Sequence, residues 1–194
     1  MELCWEGKDH REYGDYSIYW SGGNTRELGT AFIVLGEMAK RVIGWWPVKD
    51  RMCRMRINGR FFNLSIINVH SPHIGSDADD KDREYRKCPK HDVKIVIGDL
   101  NAQVGQEEEF RPVIGRFSAH QQTNENGLRL IDFATSRNAT SSHTQETRLL
   151  DVQSIPPKSQ VPKFRTYPVE HFVSTRYDLD GTSTSQRKSL VCLL

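Results

Sequence analysis

Val93-Lys94-Ile95-Val96-Ile97-Gly98-Asp99-Leu100-Asn101-Ala102-Gln103-Val104-Gly105 is the stretch around which the rest of the chain is read. Val93 to Ile97 is β-branched and mostly apolar, the pattern of a buried strand. The run then passes into Gly98-Asp99-Leu100-Asn101-Ala102, two short polar side chains following a glycine. A buried strand that ends this way delivers a carboxylate and a carboxamide to the rim of a sheet, and in layered α/β proteins ligands bind at the carboxyl ends of strands. Asp99 and Asn101 are two residues apart and project from the same side of an extended chain. A carboxylate there suits a hard divalent cation. A strand closed by an Asx-rich turn accounts for the same residues without any ligand.

Upstream, Phe61 to Val69 reads as another strand, ended by His70-Ser71-Pro72-His73. Asn58-Gly59 separates it from Arg51 to Ile57 and is a strong hairpin signal; Arg54 and Arg56 in that segment read as a solvated face. Tyr16 to Trp20 is a short aromatic strand closed by Ser21-Gly22-Gly23-Asn24, and Leu28 to Leu35 is a second apolar strand. Glu37 to Val42 has room for one or two helical turns, residues 1–12 read as irregular, and Gly75 to Asp82 reads as an acidic loop before a helix, Glu84 to Lys87, cut short by Cys88-Pro89. Downstream, Leu128 to Ala134 carries apolar residues at helical spacing, with Asn124 or Asn126 placed to cap it. Turns rather than long helices join the strands, which predicts mainly antiparallel sheets with helices added on a face. After about Ser141, Ser, Thr, Gln, Pro and charged residues dominate. The division expected is a domain over 1–140 and a poorly structured tail over 141–194.

The chain has 194 residues, enough for one domain with a sizeable core. Its 27 Lys and Arg against 25 Asp and Glu leave a net charge of +2, which allows a local basic surface without demanding a nucleic-acid partner. Hydrophobic content of 37% and a mean hydropathy of −0.62 are low for a compact enzyme, so part of the chain is expected outside the core. Cys4, Cys53, Cys88 and Cys192 are scattered without zinc-finger spacing, which points to a reducing intracellular setting, nuclear or cytoplasmic. No apolar run approaches the ~20 residues that span a bilayer, and the N-terminus lacks the pattern of a secretory signal.

Six blocks in order carry a family resemblance: Glu2-Leu3-Cys4-Trp5-Glu6-Gly7, Tyr16 to Gly22, Gly29 to Ile33, Ile67 to His73, Lys94 to Gly105 and Thr123 to Phe133. Together they resemble the endonuclease/exonuclease/phosphatase superfamily, the DNase I-like fold. More narrowly, they are similar to the apurinic-type endonuclease domain of non-LTR retrotransposons and to the domesticated copies called craniofacial development protein 2-like. The resemblance runs over about residues 1–140. It implies an α/β four-layer sandwich, two mainly antiparallel β-sheets face to face with helices outside, incomplete in this chain. It also implies a Mg²⁺- or Mn²⁺-dependent phosphodiesterase that nicks DNA, with no membrane partner. Carried over by position, Glu2 and Asp99 would bind the metal, Asp99 would orient or activate the attacking water, Asn101 would contact the scissile phosphate, and His70 would stand where many members have a tyrosine beside that phosphate.

The chain departs from the family in three places. The opening strand that ends in a metal-site asparagine would lie upstream of Met1. The helix around Tyr85 to Cys88 reads as much too short. The later motifs, including the closing Ser-Asp-His that supplies a catalytic histidine, are not recognisable; Glu170-His171-Phe172-Val173 echoes the last of them faintly, leaving open whether His171 substitutes. These departures predict unpaired strand edges and uncovered apolar faces, and a degenerate nuclease of retrotransposon origin. A non-catalytic remnant with weak nucleic-acid binding is the alternative, and Glu2, beside Met1, reads equally as a terminal charge. A phosphatase of the same fold fits the block-by-block likeness less well.

Overall fold

The computed structural model describes residues 2–3, 5–24, 29–71, 78–111, 113–115, 118, 120–142 and 171–175. Among these residues the strands form two sheets. In the first, β1 (Glu2–Leu3), β2 (Lys8–Tyr13), β3 (Tyr16–Ser21) and β4 (Gly29–Leu35) lie in the order β1-β4-β3-β2, antiparallel throughout. The second contains β5 (Val42–Lys49), β6 (Met52–Ile57), β7 (Leu64–His70), β8 (Val93–Asp99), β9 (Ala139–Ser142) and β10 (His171–Thr175), in the order β5-β6-β7-β8-β10-β9. Every neighbouring pair in it is antiparallel except β7 and β8, which run parallel. Parallel strands need a crossover, and here it contains α1 (Ala78–Lys87); α2 (Glu125–Ser136) precedes β9.

Strand alternation decides the layers. Phe32 and Val34 of β4 face Cys53, Met55 and Ile57 of β6 and Ile66, Ile95 and Ile97 of β7 and β8, forming the core between the sheets. The intervening residues Met52, Ile67, Val69 and Val96 pack on the other face against Tyr85 of α1 and Leu130, Ile131 and Ala134 of α2. The sandwich with outer helices expected from the sequence is therefore present. On the outer face of the four-stranded sheet, Ile18, Trp20, Ala31 and Ile33 pack with Trp5, Tyr13 and Tyr16, and no helix covers them among the described residues. Three of the four expected layers are described.

Several local readings are corrected. Residues 1–12, expected to be irregular, include Lys8 to Glu12 of β2, which pairs with β3 from Lys8↔Ser21 to Tyr13↔Tyr16 because Gly14-Asp15 turns the chain into a hairpin. Asn58-Gly59 does sit between two antiparallel strands, but their pairing ends at Ile57↔Leu64, so the loop is long and Phe61 is 82% exposed. The supposed acidic loop is helical from Ala78, supported by ion pairs one turn apart: Arg83 with Asp80 at 2.5 Å, Arg86 with Asp82 at 2.6 Å and Lys87 with Glu84 at 2.5 Å. Pro47 is tolerated in β5 because that strand is at the sheet edge. Residues 171–175, within the supposed tail, form a strand between β8 and β9.

Arg54 and Arg56 are not a solvated face. β6 is an interior strand whose second face lies under α1 and the loop before β8. Arg54 is buried, stacked 4.2 Å from the Trp46 ring centroid and 3.7 Å from the buried Glu84 carboxylate. Arg56 donates to both oxygens of Asp92, at 2.7 and 2.9 Å, and Ser65 Oγ donates to the same carboxylate at 2.7 Å. Burial pushes the Asp92 carboxyl upward, but the Arg56 and Ser65 hydrogen bonds outweigh it and hold the group below the usual carboxylate range.

A carboxylate held low in the folded state stabilises the fold above its unfolded pKa of about 4, and that contribution disappears as pH falls through the folded value. Asp92→Asn is expected to cost about 2–3 kcal/mol in urea unfolding at pH 7 and clearly less at pH 3, because Arg56 loses its anion only where that anion existed. A pH-independent difference between the two proteins would contradict this assignment.

Candidate functional site

The parallel register of β7 and β8 aligns Val69 with Gly98 and His70 with Asp99, so two strands running the same way stop at one rim. Gly98 makes that approach possible. Its φ is +124°, and a Cβ there would stand 1.9 Å from the Val69 carbonyl oxygen. No L side chain fits this conformation and this gap together.

The chain beyond Gly98 is held by short polar links. Asn101 N–H donates to Asp99 Oδ1 at 2.8 Å, an Asx turn, and Asn101 itself has φ +48°, which asparagine tolerates. Asn101 Nδ2 donates to the Ser71 carbonyl at 2.6 Å, and Ser71 N–H donates to the Asp99 carbonyl at 2.7 Å. Asn126 Nδ2 donates to the Asn101 carbonyl at 3.1 Å. Asn124 caps α2 by accepting from Gly127 N–H at 2.7 Å, and the same oxygen accepts from Gln103 N–H at 3.0 Å. The two sequence readings of this stretch, a turn and a rim of chemical groups, are thus one structure: the turn is what fixes the carboxylate.

Asp99 and Asn101 are joined in this network, and His70 is the β7 residue in register with Asp99. His70 Nδ1 is buried without a hydrogen-bond partner among the described residues. For Glu2 and His171 the backbone alone is described. Glu2 pairs with Thr30, whose hydroxyl donates to Cys53 Sγ at 3.3 Å; Cys53 is in register with Asn68 and Asn68 with Ile97. Thr30 therefore lies over the row two residues short of His70 and Asp99, with the β1 backbone beside it in the same sheet; how the Glu2 carboxylate stands to Asp99 lies outside the described residues. His171 is in register with Gly98, on the side of β8 away from β7. The sequence signal for this placement was only the Glu-His-Phe-Val echo in a polar segment. Asn126 and the Ser71 backbone were missed as positioning groups, since nothing local in the sequence distinguishes a cap from a tether.

The described donor set is one carboxylate and one carboxamide, both oxygen donors. Among the described residues no three His, Cys, Asp or Glu side chains come together to hold a metal. That set fits an ion such as Mg²⁺, which keeps much of its water and takes one or two carboxylates plus phosphate oxygens. It does not fit a closed zinc site. Cys53 and Cys88 are buried and free, and burial pushes the Cys53 thiol up to about 11, so it is neither a soft-metal ligand nor a nucleophile at neutral pH.

No family model matches the chain. Over 140 residues it is 37% identical to craniofacial development protein 2 of Tragulus javanicus and 36% identical to that of Bos taurus. The chain is a relative of craniofacial development protein 2. The match takes in 68% of this chain but 24% and 23% of those proteins, so the chain spans about a quarter of the length of the curated relatives it matches. Among solved structures, the endonuclease domain of TRAS1, a telomere-specific non-LTR retrotransposon, superposes with a TM-score of 0.45 at 14% identity, over 81% of this chain and 64% of that one. No helix among the described residues is long and apolar enough to cross a membrane.

Two substitutions test the geometry of the rim. Gly98→Ala is expected to cost ~3 kcal/mol or more in denaturant unfolding, from strain at positive φ plus the Val69 clash. Asn124→Ala is expected to cost ~1 kcal/mol, the usual worth of a helix cap, and to speed amide exchange at Gln103, which only the second hydrogen bond predicts.

Proposed function

We propose that this chain is a DNase I-like, divalent-cation-dependent phosphodiesterase domain of retrotransposon origin that nicks DNA. The observation that supports it most is the cluster of Asp99, Asn101 and His70 at the carboxyl ends of the parallel strand pair, tethered through Ser71. Likeness to craniofacial development protein 2 and the order of the sequence blocks support the same reading.

In this reading Asp99 and Glu2 would hold Mg²⁺ or Mn²⁺, which when bound would neutralise charge developing on the phosphate. Asp99 Oδ1 is engaged by the Asn101 N–H, so the carboxylate has one orientation and its second oxygen faces the reaction. That oxygen orients the attacking water. The Asn101 carboxamide, turned by its hydrogen bond to Ser71, addresses the scissile phosphate. The His70 imidazole, in register with Asp99, is the group assigned to donate to a phosphoryl oxygen. The water oxygen bonds to phosphorus, the sugar–oxygen leaving group departs, and the water proton passes to a base. His171, whose backbone begins β10 beside Gly98, is the candidate for that base.

Nicking of supercoiled and abasic-site DNA by the full chain tests this. Activity is expected with Mg²⁺, none with chelator, none for Asp99→Ala, and a loss of about 10² to 10⁴ for His171→Ala. Salt-dependent retention of DNA by a folded sample without metal-dependent nicking would replace this reading with that of a non-catalytic remnant.

A further inference from the structure

We propose that Arg51, in the turn between β5 and β6, is a phosphate contact of the same rim, fixing one nucleic-acid phosphate next to His70 and Asp99. The inference rests on the nucleic-acid reading above. Its starting point is register. His70 N–H donates to the Arg51 carbonyl at 2.9 Å, immediately after the Met52↔Val69 pair, and His70 is in turn aligned with Asp99. Arg51, His70 and Asp99 therefore occupy consecutive positions across three neighbouring strand ends. Met52 and Val69 pack on the helix side, while Cys53 and Ile97 pack between the sheets. The position one step beyond Met52 and Val69 returns to the inter-sheet side, where β1 also runs.

Charge pairing singles out the same residue. The neighbouring cations are engaged: Lys49 with Asp80, and Lys8 with Asp50 at 3.5 Å. Lys81 Nζ reaches Ser71 Oγ at 3.3 Å and brings a second ammonium to this rim. Arg51 is half-buried. Among the described residues Arg51 forms neither an ion pair nor a stack on an aromatic ring, whereas the half-buried Arg56, Lys94 and Arg137 each have one. Nor are its nitrogens sealed off, unlike Arg54 Nε and Arg137 Nε. It lines an open cleft of about 260 Å³ with Lys49, Asp50 and Met52.

A guanidinium held by its backbone beside a catalytic rim, reachable from a cleft and lacking an internal anion, suits an external one. Its planar fork matches two oxygens of a phosphate. The only carboxylate adjacent in sequence, Asp50, is shared with Lys8, which keeps it from quenching Arg51.

The test is binding of a 20-base-pair DNA duplex to the full chain across salt concentrations, with Mg²⁺ omitted. Arg51→Gln is expected to weaken binding about tenfold and to lower the slope of log affinity against log salt by about one. Arg51→Lys should keep the slope while losing part of the affinity, because it keeps the charge and loses the fork. Arg41→Gln, at an exposed cation before the opposite end of β5, should change neither. Equal slopes for wild type and Arg51→Gln, an equal loss in Arg41→Gln, or no duplex binding by wild type would overturn the proposal. Arg51-dependent binding without nicking would leave this contact standing while the nuclease reading fell; Asp99-dependent nicking indifferent to Arg51 would do the reverse.

Discussion

The close approach of β7 and β8 at Gly98 is the constraint on which this structure depends. Parallel strands sit side by side along their whole length only if every residue leaves room for its neighbour's backbone. At Gly98 the Val69 carbonyl occupies the space of a side chain. This lets β8 continue through Gly98 to Asp99 in register with His70, when a larger residue would have bent it away. The rim follows from that pairing. Ser71 reaches Asp99, Asn101 turns back to Ser71, and Asn126 and Asn124 tie the same loop to the start of α2. Each link is a single hydrogen bond of modest net worth. Together they give the Asp99 carboxylate one orientation.

Beneath this rim the sheet is unusual in carrying two kinds of interior. Between the sheets the core is apolar, built from Phe32, Met55, Ile66, Ile95 and their neighbours. On the helix side the apolar cluster gives way to charge: Arg54 with Trp46 and Glu84, Arg56 with Asp92 and Ser65. Such pairs add little net stability over a hydrophobic packing, but removing one member is costly because its partner stays buried. They fix α1 and the loop before β8 over β6, and so set where the crossover delivers β8. A helix with seven acidic or basic residues from Asp79 to Arg86 docks here because Glu84 meets Arg54 and Asp80 meets Lys49 while Tyr85 enters the apolar cluster.

The placement of β10 bears on how complete the sheet is. His171–Thr175 fills the position between β8 and β9 and pairs on both sides, so β8 is not left with an open edge at this point. The departures from the family pattern predict unpaired strand edges; at β8 residues 171–175 supply a neighbour from far along the chain. The outer face of the other sheet is different: Trp5, Tyr13, Tyr16 and Trp20 pack there on one another. The T-shaped Trp5–Trp20 pair, with centroids 4.8 Å apart, and the stacked Tyr13–Tyr16 pair do part of the work that a covering helix would do.

The sequence by itself determined the strands marked by apolar and β-branched runs, β3, β4, β7 and β8, and the helix over Leu128 to Ala134, whose cap it left between Asn124 and Asn126 until the structure decided for Asn124. It also determined that Asp99 and Asn101 would stand at the end of a buried strand, because strand pattern and turn chemistry are local properties. What only the tertiary structure decided were matters of partnership. Arg54 and Arg56 look like a solvent face until Glu84 and Asp92 arrive from elements far along the chain. Residues 8–13 and 171–175 become strands because a neighbouring strand accepts their hydrogen bonds, not because their own composition favours it. Arg51 gains meaning only from the backbone bond that sets it beside His70. Those outcomes depend on contacts between distant segments, and no window of a single sequence contains both sides of such a contact.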